Sequence, residues 1–135
     1  MSVDLGNMMK GPKMPMALIA EDCSLVRVDL ENILQDAGYD VYQVGTGEDA
    51  LAVLDLRGND FQVLITDVQM PPGKLSGFDL AKTCAHTWTH ISIVVVSGTK
   101  SPEAETLPDN IAFLSKPFSA DRVYETLENL GTVRS

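Results

Sequence analysis

Five short and mostly apolar runs punctuate this chain: Met16–Ala20, Val41–Val44, Val63–Thr66, Ile91–Val96 and Ile111–Leu114. Runs of this length, rich in β-branched residues and nearly unbroken by polar positions, read as strands covered on both faces. Between them the apolar spacing becomes helical. From Ser24 onward, Leu25, Val28, Ile33, Leu34 and Ala37 fall on one stripe, and Gly38 is the expected stop. Thr46 opens T-G-E-D, a capping-box pattern with Asp49 at the third helical position. Ala50, Leu51, Val53, Leu54 and Leu56 then carry a second helix to Gly58-Asn59. A third helix spans Gly77–Ala85, with Phe78, Leu80, Ala81 and Cys84 as its stripe. Ser101–Leu107 is expected as a short fourth helix, capped by Ser101 and ended by Pro108. The last helix runs from Ser119 to about Leu130, with Val123, Leu127 and Leu130 inward. Strands and helices that alternate in this way form a parallel sheet with helices on both faces, closed by right-handed crossovers. The expected fold class is therefore an α/β, three-layer α/β/α sandwich around a five-stranded parallel sheet.

At 135 residues the chain fits one domain. Residues 1–15 are expected to be a mobile leader, 16–131 the domain and 132–135 a tail. The leader carries an acid near its start and no continuous apolar core, so it does not read as a secretory signal. Nineteen acidic residues stand against ten basic ones, for a net charge of −9. So acidic a surface repels phosphate backbones and anionic lipids, which disfavours direct contact with nucleic acid or membranes. No apolar run reaches the length of a membrane span. Cys23 and Cys84 lie far apart and form no C-x-x-C, as expected of free thiols in a reducing cytoplasm.

Ligands of an open parallel sheet bind beyond the carboxyl ends of its strands. In this sequence those ends supply Glu21 and Asp22, then Asp67, then Ser97, then Lys116. Three neighbouring carboxylates repel unless a cation intervenes. An all-oxygen set suits Mg²⁺, Mn²⁺ or Ca²⁺ better than zinc. Mg²⁺ commonly takes one or two carboxylates, keeps several waters and shares a phosphate oxygen. A lysine and a hydroxyl are donors for the other phosphate oxygens, and a carboxylate can itself accept a phosphoryl group.

Four motifs carry a resemblance: E-D after the first strand, D-V-Q-M-P after the third, V-V-S-G after the fourth and S-K-P-F after the fifth. With them the chain resembles the receiver domain of two-component response regulators, the CheY-like family, over about Met16 to Leu130. The resemblance implies a flavodoxin-like strand order 2-1-3-4-5. It implies that Asp67 is a phosphoacceptor served by a sensor histidine kinase or a phosphotransfer protein. Asp22 is similar to the family's direct Mg²⁺ ligand, Glu21 to the acid that acts through a water, and the Gln69 backbone carbonyl to a further ligand. Ser97 corresponds to the switch hydroxyl, Phe113 to the switch aromatic and Lys116 to the family lysine, with a cis bond to Pro117 expected. Gln69 and Thr99 stand where the family tunes dephosphorylation. The implied protein is a cytoplasmic signalling module that switches a surface toward an unknown downstream protein, and not an enzyme with turnover.

Two departures follow from the same comparison. The loop P-P-G-K-L-S before Gly77 is longer than the common form. The stretch from Ser97 to Lys116 is shorter, with its helix cut by Pro108. Competing readings are a Mg²⁺-dependent aspartyl phosphohydrolase, a nucleotide or flavin binder, and a partner-binding module that no longer switches. The hydrolase would need a second acid at position 69, where this chain has Gln69. The nucleotide binder would need a Gly-rich loop where this chain has E-D-C-S-L. His86 and His90 flank Trp88 in an expected loop and read as surface histidines rather than metal ligands. Taken singly, Asp67 reads as a turn residue, Glu21-Asp22 as a helix cap and Phe113 as core.

Overall fold

The computed structural model describes residues 14–70, 73–98, 107–108 and 110–131. Its strands are β1 (Met16–Ala20), β2 (Asp40–Val44), β3 (Phe61–Asp67), β4 (Ser92–Ser97) and β5 (Ile111–Ser115). Among the described residues the helices are α1 (Ser24–Asp36), α2 (Gly47–Arg57), α3 (Gly77–Thr87) and, after β5, α4 (Ala120–Asn129). A 3-10 turn, Gly58–Asp60, leads into β3. All described pairings are parallel and the sheet order is β2-β1-β3-β4-β5. The expected fold class is thus the observed one. The short helix expected over Ser101–Leu107 lies largely outside the described residues, as do the leader up to residue 13 and the tail.

Strand side chains alternate between two cores. Leu18, Leu64, Ile93 and Val95 join Ala50, Leu54, Phe78, Leu80 and Cys84 of α2 and α3 on one face. Ala17, Ile19, Val63, Ile65, Val94 and Val96 meet Leu30, Leu34, Val123 and Leu127 of α1 and α4 on the other. A register shift between Met16 and Ala17 leaves Gln62 as one extra residue on β3, so that Met16 pairs with Phe61 and Ala17 with Val63.

Local chemistry explains the helix starts. The hydroxyls of Thr46, Ser76 and Ser119 accept from the N–H groups of Asp49, Asp79 and Arg122, three residues on in each case. Gly38 follows α1 with φ +96° and ends it as expected. Four inward assignments need correction. Leu25 and Val28 are exposed, at 82% and 50%, Leu56 at 86%, and Ala37 is exposed at the C-terminal cap of α1. The buried stripe of α1 is Leu30, Ile33 and Leu34. In the same first turns Val26 and Leu30 take the inward positions and join the second core, which leaves Leu25 and Val28 on the outward face. His86 closes α3 instead of lying in a loop. His90 sits in the turn that follows, with Nε2 3.0 Å from the Gly58 carbonyl.

Candidate functional site

The carboxyl ends of β1, β3, β4 and β5 meet along one edge, and the register brings their side chains together. Asp67 pairs with Val96 across β3 and β4, and Ser97 with Ser115 across β4 and β5. The Lys116 N–H donates to the Ser97 carbonyl at 2.8 Å, so the chain after β5 stays bound to β4 as it turns over the site. The Lys116–Pro117 bond is cis, as expected.

Lys116 is the electrostatic centre. Its Nζ lies 3.0 Å from Glu21 Oε1 and 3.4 Å from Asp67 Oδ2. Glu21 is fully buried, and its other oxygen, Oε2, accepts the Cys23 N–H at 3.2 Å. Burial therefore pushes the Glu21 carboxyl up from its ordinary value, and the charge of Asp67 adds to this against the hydrogen bonds from Lys116 and Cys23. For Lys116 burial works the other way, yet its hydrogen bond to Glu21 and the two carboxylate charges prevail, and its pKa is raised. Asp67 has Oδ1 on the Val68 N–H at 2.8 Å and is part-exposed, at the rim of the sheet. Asp22 is exposed beside it. One carboxylate oxygen from each of Glu21, Asp22 and Asp67 lies within 4.8 Å of the others.

Ligand oxygens about 2.1 Å from a Mg²⁺ ion stand at most about 4 Å apart. The acidic trio therefore fits such an ion after a small contraction, and its donors are the hard oxygens the ion prefers. Glu21 is fully buried with its oxygens on Lys116 and Cys23, whereas Asp67 is part-exposed and Asp22 exposed, so Asp22 and Asp67 are the more accessible to an ion.

Ser97 is buried at the tip of β4, and Phe113 is half-buried on β5 against the first core. Gln69 is exposed in the loop that leaves Asp67. Thr99 lies outside the described residues. The structure thus gathers Glu21, Asp22, Asp67, Ser97 and Lys116 at one edge, with Gln69 next to it.

The chain matches the family model for the response regulator receiver domain over residues 17–128. It belongs to that family. It is 30% identical over 116 residues to the sensor kinase CckA of Brucella abortus, covering 84% of this chain and 12% of that protein. It is 32% identical over 114 residues to the transcriptional regulatory protein PdtaR of Mycobacterium tuberculosis, covering 82% of this chain and 54% of the relative. The chain thus spans a small part of one curated relative and about half of the other. Among solved structures it superposes on a response regulator receiver protein from Sinorhizobium medicae with TM-score 0.79 and 25% identity, covering 90% of this chain and 98% of that one. For the Vibrio cholerae chemotaxis protein CheY4 the TM-score is 0.74 at 28% identity, covering 87% and 98%. This is a receiver domain of two-component signalling.

Sequence reasoning missed three residues around the site. Arg27 donates from its guanidinium to the Glu21 carbonyl at 3.0 Å and steadies the turn after β1. Gly77 brings α3 against the end of β3: its N–H donates to the Val68 carbonyl at 2.7 Å, and a Cβ there would collide with the Asp67 carbonyl. The third is Glu48. Its carboxylate Oε2 accepts the Lys74 and Leu75 N–H groups at 2.8 and 3.0 Å. For Gly77 the signal was available, since a glycine opens α3 directly after the lengthened loop. Glu48 and Arg27 gave none, because their partners are distant in sequence or are backbone atoms.

Proposed function

We propose that this receiver domain is phosphorylated on Asp67 in a Mg²⁺-dependent reaction, with a sensor histidine kinase or a phosphotransfer protein as donor. The observation that carries the reading is the position of the Asp67 carboxylate. It sits at the rim of the sheet, 3.4 Å from Lys116 and within reach of the other two acids. An Asp67 oxygen attacks the phosphorus of a phosphohistidine. The new P–O bond forms as the P–N bond breaks, the imidazole keeps the electron pair and takes up a proton, and Asp67 becomes an acyl phosphate. Asp22, Asp67 and the Gln69 carbonyl would hold the ion, with Glu21 acting through a water. When bound, the ion neutralises charge on the phosphoryl oxygens.

The remaining steps belong to the chain itself. Lys116 pairs with one phosphoryl oxygen and the Ser97 hydroxyl donates to another. Phosphorylation adds about −1.5 to −2 charges, which draws Ser97 and Lys116 inward. Phe113 follows on β5 and alters the surface offered to a downstream protein. Gln69 and Thr99 tune the lifetime of the acyl phosphate. The domain works as a cytoplasmic switch and turns over no substrate beyond its own phosphoryl group. No described helix is long and apolar enough to cross a membrane.

The test is incubation with Mg²⁺ and a small phosphodonor, read by intact mass. Wild type should gain one phosphoryl group, and chelation of the metal should abolish the gain. A wild type that stays unmodified, or an Asp67→Ala protein that gains as much, would contradict the reading.

A further inference from the structure

The lengthened loop after β3 is tied down from a distance. Its start is held to Gly77 through the Val68 carbonyl, and the Gly73 N–H donates to the Met70 carbonyl at 3.1 Å. Met70 is buried, at 2% exposure, and directly follows Gln69. The outer part of the loop rests on the first turn of α2. There the Glu48 carboxylate receives two backbone N–H groups, from Lys74 and Leu75. Beside it Gly47 lies flush against Leu75, since a Cβ on Gly47 would be 3.0 Å from the Leu75 carbonyl oxygen. Gly73 packs directly against the same carboxylate: a Cβ on Gly73 would overlap Glu48 Oε1. A charged acceptor with two N–H donors is among the stronger kinds of hydrogen bond. It joins two segments that are 26 residues apart in sequence.

From this geometry we infer that Glu48 is a positioning residue for the cation site. It holds the outer part of the β3–α3 loop so that Met70, and with it the neighbouring Gln69 carbonyl, keeps its place beside Asp67. The inference rests on the reading of the site given above and adds to it a residue outside the acidic cluster. Glu48 touches neither the ion nor the phosphoryl group. Its effect falls on Mg²⁺ affinity, while the plateau phosphorylation rate at saturating Mg²⁺ stays near that of wild type.

The experiment is calorimetric titration of Mg²⁺ into wild type, Glu48→Ala, Glu48→Gln and Gly73→Ala, with hydrogen exchange of the Lys74 and Leu75 amides followed alongside. Losing a partner that orients a metal ligand typically costs about 10- to 100-fold in affinity; acting one step further out, Glu48→Ala should weaken Mg²⁺ binding about threefold to tenfold. Both amides should exchange faster. Glu48→Gln keeps an acceptor oxygen and should recover most of the affinity. Gly73→Ala leaves the charge in place but displaces the carboxylate, so it should resemble Glu48→Ala. Unchanged Mg²⁺ affinity in Glu48→Ala would overturn the inference. So would a Glu48→Gln protein as weak as Glu48→Ala beside an unaffected Gly73→Ala, because the effect would then come from the charge alone. No Mg²⁺ binding by wild type would instead remove the reading of the site, and the inference with it. The two failures are therefore distinguishable.

Discussion

Lys116 and Glu21 form the pair on which the site depends most. Glu21 is fully buried and Lys116 keeps 23% of its side-chain surface. Removing the lysine leaves a buried carboxylate without its cation, and breaking a buried pair in this way costs up to about 3–5 kcal/mol. Glu21 can escape part of this cost by taking a proton. Its folded-state pKa is raised, so its ionisation opposes folding as pH rises through that value, and protonation relieves the strain. Lys116→Met should therefore destabilise the domain more at neutral pH than near pH 5, relative to wild type at the same pH. Urea unfolding at the two pH values would show this, and an equal loss at both would contradict the burial argument. Gly77 makes a separate prediction. Gly77→Ala places a Cβ against the Asp67 carbonyl, and overpacking of this kind costs about 1–3 kcal/mol. The same variant should also slow phosphorylation, since what it displaces is the end of β3.

The helices divide into faces that carry stability and faces that do not. In α1, Leu30 is fully buried while Leu25 is 82% exposed. Leu30→Ala should cost about 2–5 kcal/mol, whereas Leu25→Ala should stay within about 0.5 kcal/mol of wild type. Chemical denaturation of the two variants separates the faces. At α2, the backbone N–H groups of Lys74, of Glu48 itself and of Leu75 hold the Glu48 carboxyl below its ordinary value of 4.5. A depressed folded-state pKa means that the Glu48 contact contributes fully above pH 4.5 and is lost as pH falls through the lower, folded value. The Lys74 and Leu75 amide resonances should shift together in that acidic window. Titration of the two amides at different pH values would disprove a shared acceptor.

At the scale of the whole molecule, legibility in the sequence followed the range of the interaction. The central strands β1, β3 and β4 were readable because a strand covered on both faces is nearly all apolar and its end is marked by polar residues, and the edge strands β2 and β5, only partly covered, were readable from their short apolar runs. Asp67 after Val63–Thr66 is the clearest case. The helix starts at Thr46 and Ser119 were readable because capping is a three-residue event. Strand order entered through the family resemblance, since apolar runs do not name their neighbours. The inward assignment of Leu25, Val28, Ala37 and Leu56 failed because apolar residues also stand on the outward faces of these helices, while Val26 and Leu30 in α1 and Leu54 in α2 take the inward positions. The Glu48 contact was invisible because it joins residues far apart through backbone N–H groups that every residue carries.

The proposed function puts the phosphoryl group on Asp67, and the location of that group can be read directly. After reaction with a small phosphodonor and Mg²⁺, borohydride reduces an acyl phosphate on aspartate to homoserine, which peptide mass spectrometry can place. The account predicts homoserine at position 67 and at no other aspartate. Homoserine at Asp22 or elsewhere, with Asp67 intact, would contradict it.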